Sequence, residues 1–141
     1  MTYHYLAFGI PVISEIELPA LFPLKESQNA DNPIYVRLGT APDQLVEKGQ
    51  NADRCAVCNA TEMLYTIPDK IRLYISNGNQ ITIEPIDSDY ETNLIYFYSN
   101  GLAAALYQRD IIPFHVSGVF TQPGKVALLR HPQEQASLPW R

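Results

Sequence analysis

The chain has 141 residues, of which 46% are hydrophobic and 18% charged, and its formal net charge is −5. That balance excludes a disordered chain and suits one domain able to bury a core. Ten scattered Lys and Arg form no basic footprint, which excludes a nucleic-acid binder.

Residues 2–16 alternate and are rich in Tyr, Phe, Ile and Val, predicting a strand or hairpin kinked at Gly9-Ile10-Pro11. This N-terminus lacks the basic start and small-residue cleavage site of a signal peptide. Apolar runs such as "GLAAALY" are too short to cross a bilayer, so a cytoplasmic protein without membrane contact is expected. "ELPALFPLKESQNADNP" carries three prolines and many polar residues and reads as a loop. "IYVRLG", Ile34 to Gly39, is a short strand, and "TAPDQLVEKGQNAD" is a connector with room for a turn of helix.

Strands follow at about 54–59 and 62–67, the first holding Cys55 and Cys58 of "RCAVC". One CxxC supplies half of a zinc site, and no second CxxC or spaced His pair follows. A redox CxxC usually opens a helix, whereas this one sits in a β-like stretch. Two half-buried thiols are expected there, and no metal site. "KIRLYISNGNQITIEPI" predicts two alternating strands joined at Asn77-Gly78, the favoured type I′ pair.

Ser88-Asp89-Tyr90-Glu91 has the spacing of a capping box, Ser88 bonding forward and Glu91 reaching back. The helix it opens should run from Tyr90 to about Gln108, with Leu94, Tyr98, Leu102, Ala105 and Leu106 as its core stripe. Gly101 and the alanines after it leave room for another backbone, and Pro113 prevents continuation. "FHVSGVF" and "KVALLR" form a last hairpin, turned at Gln122-Pro123-Gly124. The fold class is therefore α+β: a mostly antiparallel, twisted sheet with one main helix near the C-terminus.

Three blocks, "HYLAFGIPVISEIELPAL", "IPDKIRLYISNGNQITIEP" and "GLAAALYQRDIIPFHVSGVF…GKVALL", resemble in order the N-terminal region of proteins related to HPr kinase, the serine kinase acting on the phosphocarrier HPr. The similarity runs from residue 3 to about 129, and the last block is its most specific part. It implies that residues 1–129 are the front part of an ATP-dependent kinase-like phosphotransferase. In that family "KVALL" leads into a P-loop of the type GxSGAGKST, whose amides cradle phosphates, whose lysine reaches the β- and γ-phosphates and whose hydroxyl holds Mg²⁺.

Residues 130–141 read "RHPQEQASLPWR" instead, without glycine or lysine. They are expected to be a tail foreign to the family, and the chain to hold no ATP, Mg²⁺ or other cofactor of its own. Written in codons from His131 and read from each third base, the tail permits Ser-x-Gly-Ala-Gly-Lys-Ser-Thr-Leu-Ala. That is the missing P-loop in another frame, which points to a frameshift just before His131.

The resemblance places His115 on the strand before the P-loop, near the transferred phosphate, as the candidate catalytic residue. An imidazole there handles a proton or a phosphate; the structural alternative is a histidine bonded at a strand end. Ser117 shares that face, but no Gly-x-Ser-x-Gly elbow surrounds it, so strand packing is expected. Gln108 and Arg109 close the helix, where a cation suits the negative end of the dipole. His4 reads as a residue of an edge strand.

An inactive kinase-like front part is thus the first functional expectation. A non-catalytic module holding a peptide or partner chain on its sheet is the second. Homo-oligomerisation, or a protein or peptide partner, is expected in either case, because a strand edge or apolar face is left open.

Overall fold

The computed structural model describes residues 1–25, 31–114 and 116–129. Nine strands form one sheet. They are β1 (Tyr3–Ala7), β2 (Ile10–Ser14), β3 (Phe22–Pro23), β4 (Ile34–Leu38), β5 (Gln50–Asn51), β6 (Ala56–Cys58), β7 (Glu62–Ile67), β8 (Ile71–Ser76) and β9 (Gln80–Pro85). Their spatial order is β3-β1-β2-β4-β9-β8-β7-β6-β5. The pairs β2–β4 and β4–β9 are parallel and the others antiparallel. The expected α+β class with a mostly antiparallel sheet is what forms. Two details differ: the proline-rich loop contributes the short edge strand β3, and the connector after Gly39 forms β5 without a helical turn.

The central hairpin shows how its register is chosen. Asn77 and Gly78 both take positive φ, 52° and 64°, and the Asn79 N–H donates to the Ser76 carbonyl at 3.2 Å, as a type I′ turn requires. A two-residue loop would pair Ser76 with Asn79 and set odd positions opposite even ones. The buried residues Ile71, Leu73 and Ile75 on β8 and Ile81 and Ile83 on β9 are all odd, so that register would send one set to the wrong face. The structure instead pairs Ser76 with Gln80 and Leu73 with Ile83. The surplus residue, Asn79, turns its carbonyl to the Tyr35 N–H at 2.8 Å and so ties the turn to β4. Hydrophobic parity overrides loop length.

One face of the sheet carries Tyr5, Val12, Ile34, Val36, Ile71, Leu73, Ile75 and Ile81, and the helix lies on it. That helix begins as α1 (Tyr90–Tyr96), passes through a π turn (Phe97–Gly101) and continues as α2 (Leu102–Tyr107). Its cap is Asp89, whose carboxylate accepts the Thr92 N–H at 3.2 Å, and not Ser88 as the capping-box spacing suggests. The π turn also changes the buried stripe. The wider turn sets Phe97 and Leu102, five residues apart, on one buried face, the Leu102 N–H donating to the Phe97 carbonyl, and Tyr98 stays half-exposed. Where the ladder widens, the Ser99 hydroxyl donates to the Ile95 carbonyl at 2.7 Å and the Asn100 amide to the Tyr96 carbonyl at 3.4 Å. Gly101 then sits over side chains, not a backbone: an added Cβ would lie 3.2 Å from the Phe97 ring and 3.6 Å from Leu73.

The helix ends before Pro113 acts. Asp110 takes φ 61°, the Ile111 N–H reaches the Leu106 carbonyl at 3.0 Å and the Asp110 N–H the Tyr107 carbonyl at 3.0 Å, a Schellman motif. After it the chain runs through exposed Ile111, Ile112 and Phe114 into a separate two-stranded sheet, β10 (Ser117–Gln122) and β11 (Lys125–Leu129). Pro123 and Gly124 turn it, Gly124 having the positive φ, 76°, that a type II turn demands at its third residue.

Candidate functional site: an open sheet face and an apolar arm

The second face of the nine-stranded sheet is divided. Over β7, β8 and β9 it is covered by the segment 39–49, held by three charged side chains. The Arg72 guanidinium donates to the Pro42 carbonyl at 2.6 Å, the Ala41 carbonyl at 3.2 Å and Glu84 at 3.1 Å. Glu84 in turn accepts the Ala41 N–H at 2.8 Å. Glu62 is buried and accepts four bonds: Val46 N–H at 3.0 Å, Glu47 N–H at 3.1 Å, the Asn59 amide at 2.9 Å and the Tyr74 hydroxyl at 2.7 Å. Burial pushes its carboxyl upward, but these donors outweigh that and bring it down to about 2. With every lone pair engaged, Glu62 is an anchor and not a general base.

Over β3, β1, β2 and β4 the same face is open. Leu6 and Phe22 are cross-strand partners, Pro11 lies opposite Leu6, and Ile13 lies beside Tyr35. Leu6, Phe22 and Tyr35 are exposed, as is Phe8 at the hairpin tip. Phe8 holds φ 54°, a conformation that costs a bulky L-residue about 1 kcal/mol, and its ring projects into solvent. A groove of about 420 Å³ on this face is lined by Ile13, Glu15, Tyr35, Arg37 and Gln80.

The arm formed by β10 and β11 is the second unusual surface. Gly118 faces Leu128 and Phe120 faces Val126 on one side, while Val119 faces Ala127 and Ser117 faces Leu129 on the other. Both sides are thus apolar, yet Phe120 is 83% exposed and Leu128 63% exposed. A lone two-stranded hairpin is marginal in water, and a strand apolar on both faces is the pattern of one buried on both.

The residues singled out by sequence separate as follows. His115 lies outside the described residues, and so does the tail from His131. Ser117 begins β10, exposed and opposite Leu129. Cys55 and Cys58 are spread along the β6 segment, so their Cα atoms are on the order of 10 Å apart, beyond disulfide reach. Burial first, and the Asp53 charge second, raise the Cys58 thiol above its ordinary range, which keeps it protonated and unreactive. Cys58 does line a cavity of about 400 Å³ with Lys48, Glu62, Met63, Ala104 and Tyr107.

His4 is not at an edge, because β1 pairs with both β2 and β3. Gln108 and Arg109 are structural. Gln108 accepts the Gly78 N–H at 2.8 Å and donates to the Ile75 carbonyl at 3.2 Å, and Arg109 donates to the carbonyls of Gly78 and Asn32, each at 2.5 Å. Together they clamp the Asn77-Gly78 turn under the helix end. A side chain at Gly78 would sit 2.7 Å from Arg109 Cγ, so glycine is needed there for space as well as for φ.

Sequence reading missed the Glu62, Arg72 and Glu84 anchors. They occupy the polar positions of alternating strands, where solvent exposure is the ordinary expectation. The direct Arg72–Glu84 pairing, which follows from the hairpin register, was the available signal. Among the described residues no helix is long and apolar enough to cross a membrane. Comparison with family models, curated proteins and solved structures found nothing that matches this chain.

Proposed function

We propose that residues 1–129 are the non-nucleotide front part of a cytoplasmic, HPr-kinase-like serine phosphotransferase, and that the reading frame departs from it just before His131. The observation that supports this is the arm. β11, "KVALL", is apolar on both sides and exposed on both, as a strand would be if made to lie inside a nucleotide-binding domain and to feed its P-loop. Phosphoryl transfer is mostly positioning and charge stabilisation by the phosphate cradle, lysine and metal. Without the cradle this chain has no kinase activity of its own, and ATP and Mg²⁺ belong to its intact relatives.

The gene's nucleotides across codons 131–141 test the reading. Read from each third base they should spell Gly-Ala-Gly-Lys-Ser-Thr; codons that break that string overturn the frameshift. The protein itself should give no heat when titrated with Mg-ATP and no change in melting temperature. Tight, Mg-dependent binding would place a phosphate site elsewhere in the chain and refute the inactive reading.

A second reading, a non-catalytic module that holds a peptide or partner chain, is favoured by the open apolar face over β3, β1, β2 and β4. It is separated from the first by the same nucleotides, since a module of independent origin has no reason to encode a P-loop out of frame.

A further inference from the structure

The arm and the open sheet face both leave large apolar side chains bare, and both belong to one chain. We infer that two copies of this protein exchange arms, each β10–β11 hairpin packing on the open β3-β1-β2-β4 face of the other copy.

Three observations select a second copy as the occupant. The first is area. The exposed parts of Phe120, Val126 and Leu128, on one side of the arm, with those of Leu6, Phe8, Phe22 and Tyr35, amount to apolar surface on the order of 1,000 Å² per chain. A standard-size interface takes roughly 800 Å² per partner. The second is charge. Residues 1–110 hold seven Lys and Arg against fourteen Asp and Glu, a net −7, while residues 111–129 hold Lys125 alone, a net +1. Body against body and arm against arm are therefore like-charged, and arm against body is complementary. The third is shape. The groove beside Ile13 and Tyr35, about 420 Å³, is large enough for a phenylalanine ring, and Phe120 is the most exposed of the arm's large apolar side chains.

Reciprocal donation in a two-fold pair uses both surfaces of both copies and closes the assembly. This association follows from the surfaces alone, whatever the ancestry of the chain.

Sedimentation equilibrium of the full chain should give a dimer at tens of micromolar. Phe120→Asp with Leu128→Asp should give a monomer, and so should Leu6→Glu with Phe22→Glu, because each pair removes one half of the contact. All four residues are exposed, so melting temperatures within a few degrees of the parent are expected. A monomeric parent would overturn the inference, as would a body variant that remains dimeric, since the arms would then be pairing with each other. Cross-linking in a mixture of isotope-labelled and unlabelled parent protein needs no variant. A zero-length reagent should join Lys125 of one copy to carboxylates within residues 1–110 of the other. Links confined to single copies would equally sink arm exchange.

Discussion

Glu62→Gln should flatten the acid limb of this protein's stability profile and lower its melting temperature by roughly 10 °C at neutral pH. The folded carboxyl stands at about 2 against an ordinary value of 4.5. A carboxylate lowered in this way stabilises the fold fully above about pH 4.5, and the contribution is lost as pH falls toward 2. Its size is about 3 kcal/mol. Glutamine keeps the volume but brings an N–H₂ toward four donors and removes the charge that they solvate. Chemical denaturation at pH 7, 4 and 2 is the measurement. The gap between parent and variant should be widest at pH 7 and close by pH 2. Parallel profiles across that range would show that Glu62 is not the group that titrates.

Phe97→Ala should cost about 3–5 kcal/mol, because the ring is fully buried between the helix and the sheet. Tyr98→Ala should cost only about 1–2 kcal/mol: its ring is half-buried, stands edge-on to Phe97 at 5.3 Å, and accepts one hydrogen bond from the Ala20 N–H at 3.3 Å. The contrast reads out the π turn directly. An uninterrupted α-helix would set Tyr98, four residues before the buried Leu102, on the core face in place of Phe97 and reverse the order. Equal losses, or a larger loss at Tyr98, would refute the rotated stripe. Against a total stability of about 5–15 kcal/mol, the Phe97 variant should be partly unfolded near its growth temperature.

The same comparison shows how far the sequence speaks. Alternation in "IRLYIS" and "ITIEPI" and the Asn77-Gly78 pair were enough to predict the central hairpin, and apolar spacing located the helix to within a residue or two. These are local signals. They arise from backbone preferences and from the period of a pattern, which act within a few residues. Register parity was also implicit in the sequence, since only an odd loop keeps every buried isoleucine on one face.

The π turn was not legible. Widening one turn is decided by which of two adjacent aromatics is buried against the sheet, and the sheet atoms under that turn, from Leu73 and Ile81, lie sixteen or more residues earlier. The candidate site divides in the same way. That the final hairpin is apolar on both sides can be read from "VSGVF" and "KVALL". That nothing described packs on it, and that the face over β3, β1, β2 and β4 stands open, required the assembled sheet. The parallel β2–β4 and β4–β9 pairings that set the bare half beside the covered half join segments far apart in sequence.

Composition, patterning and turn chemistry thus determined the class and elements of this protein, because each element's own residues carry those preferences. Tertiary structure alone decided which charges are anchors, which helical aromatic is core and which apolar faces remain uncovered. Burial is a property of what packs on a residue, and its neighbours in sequence do not supply that.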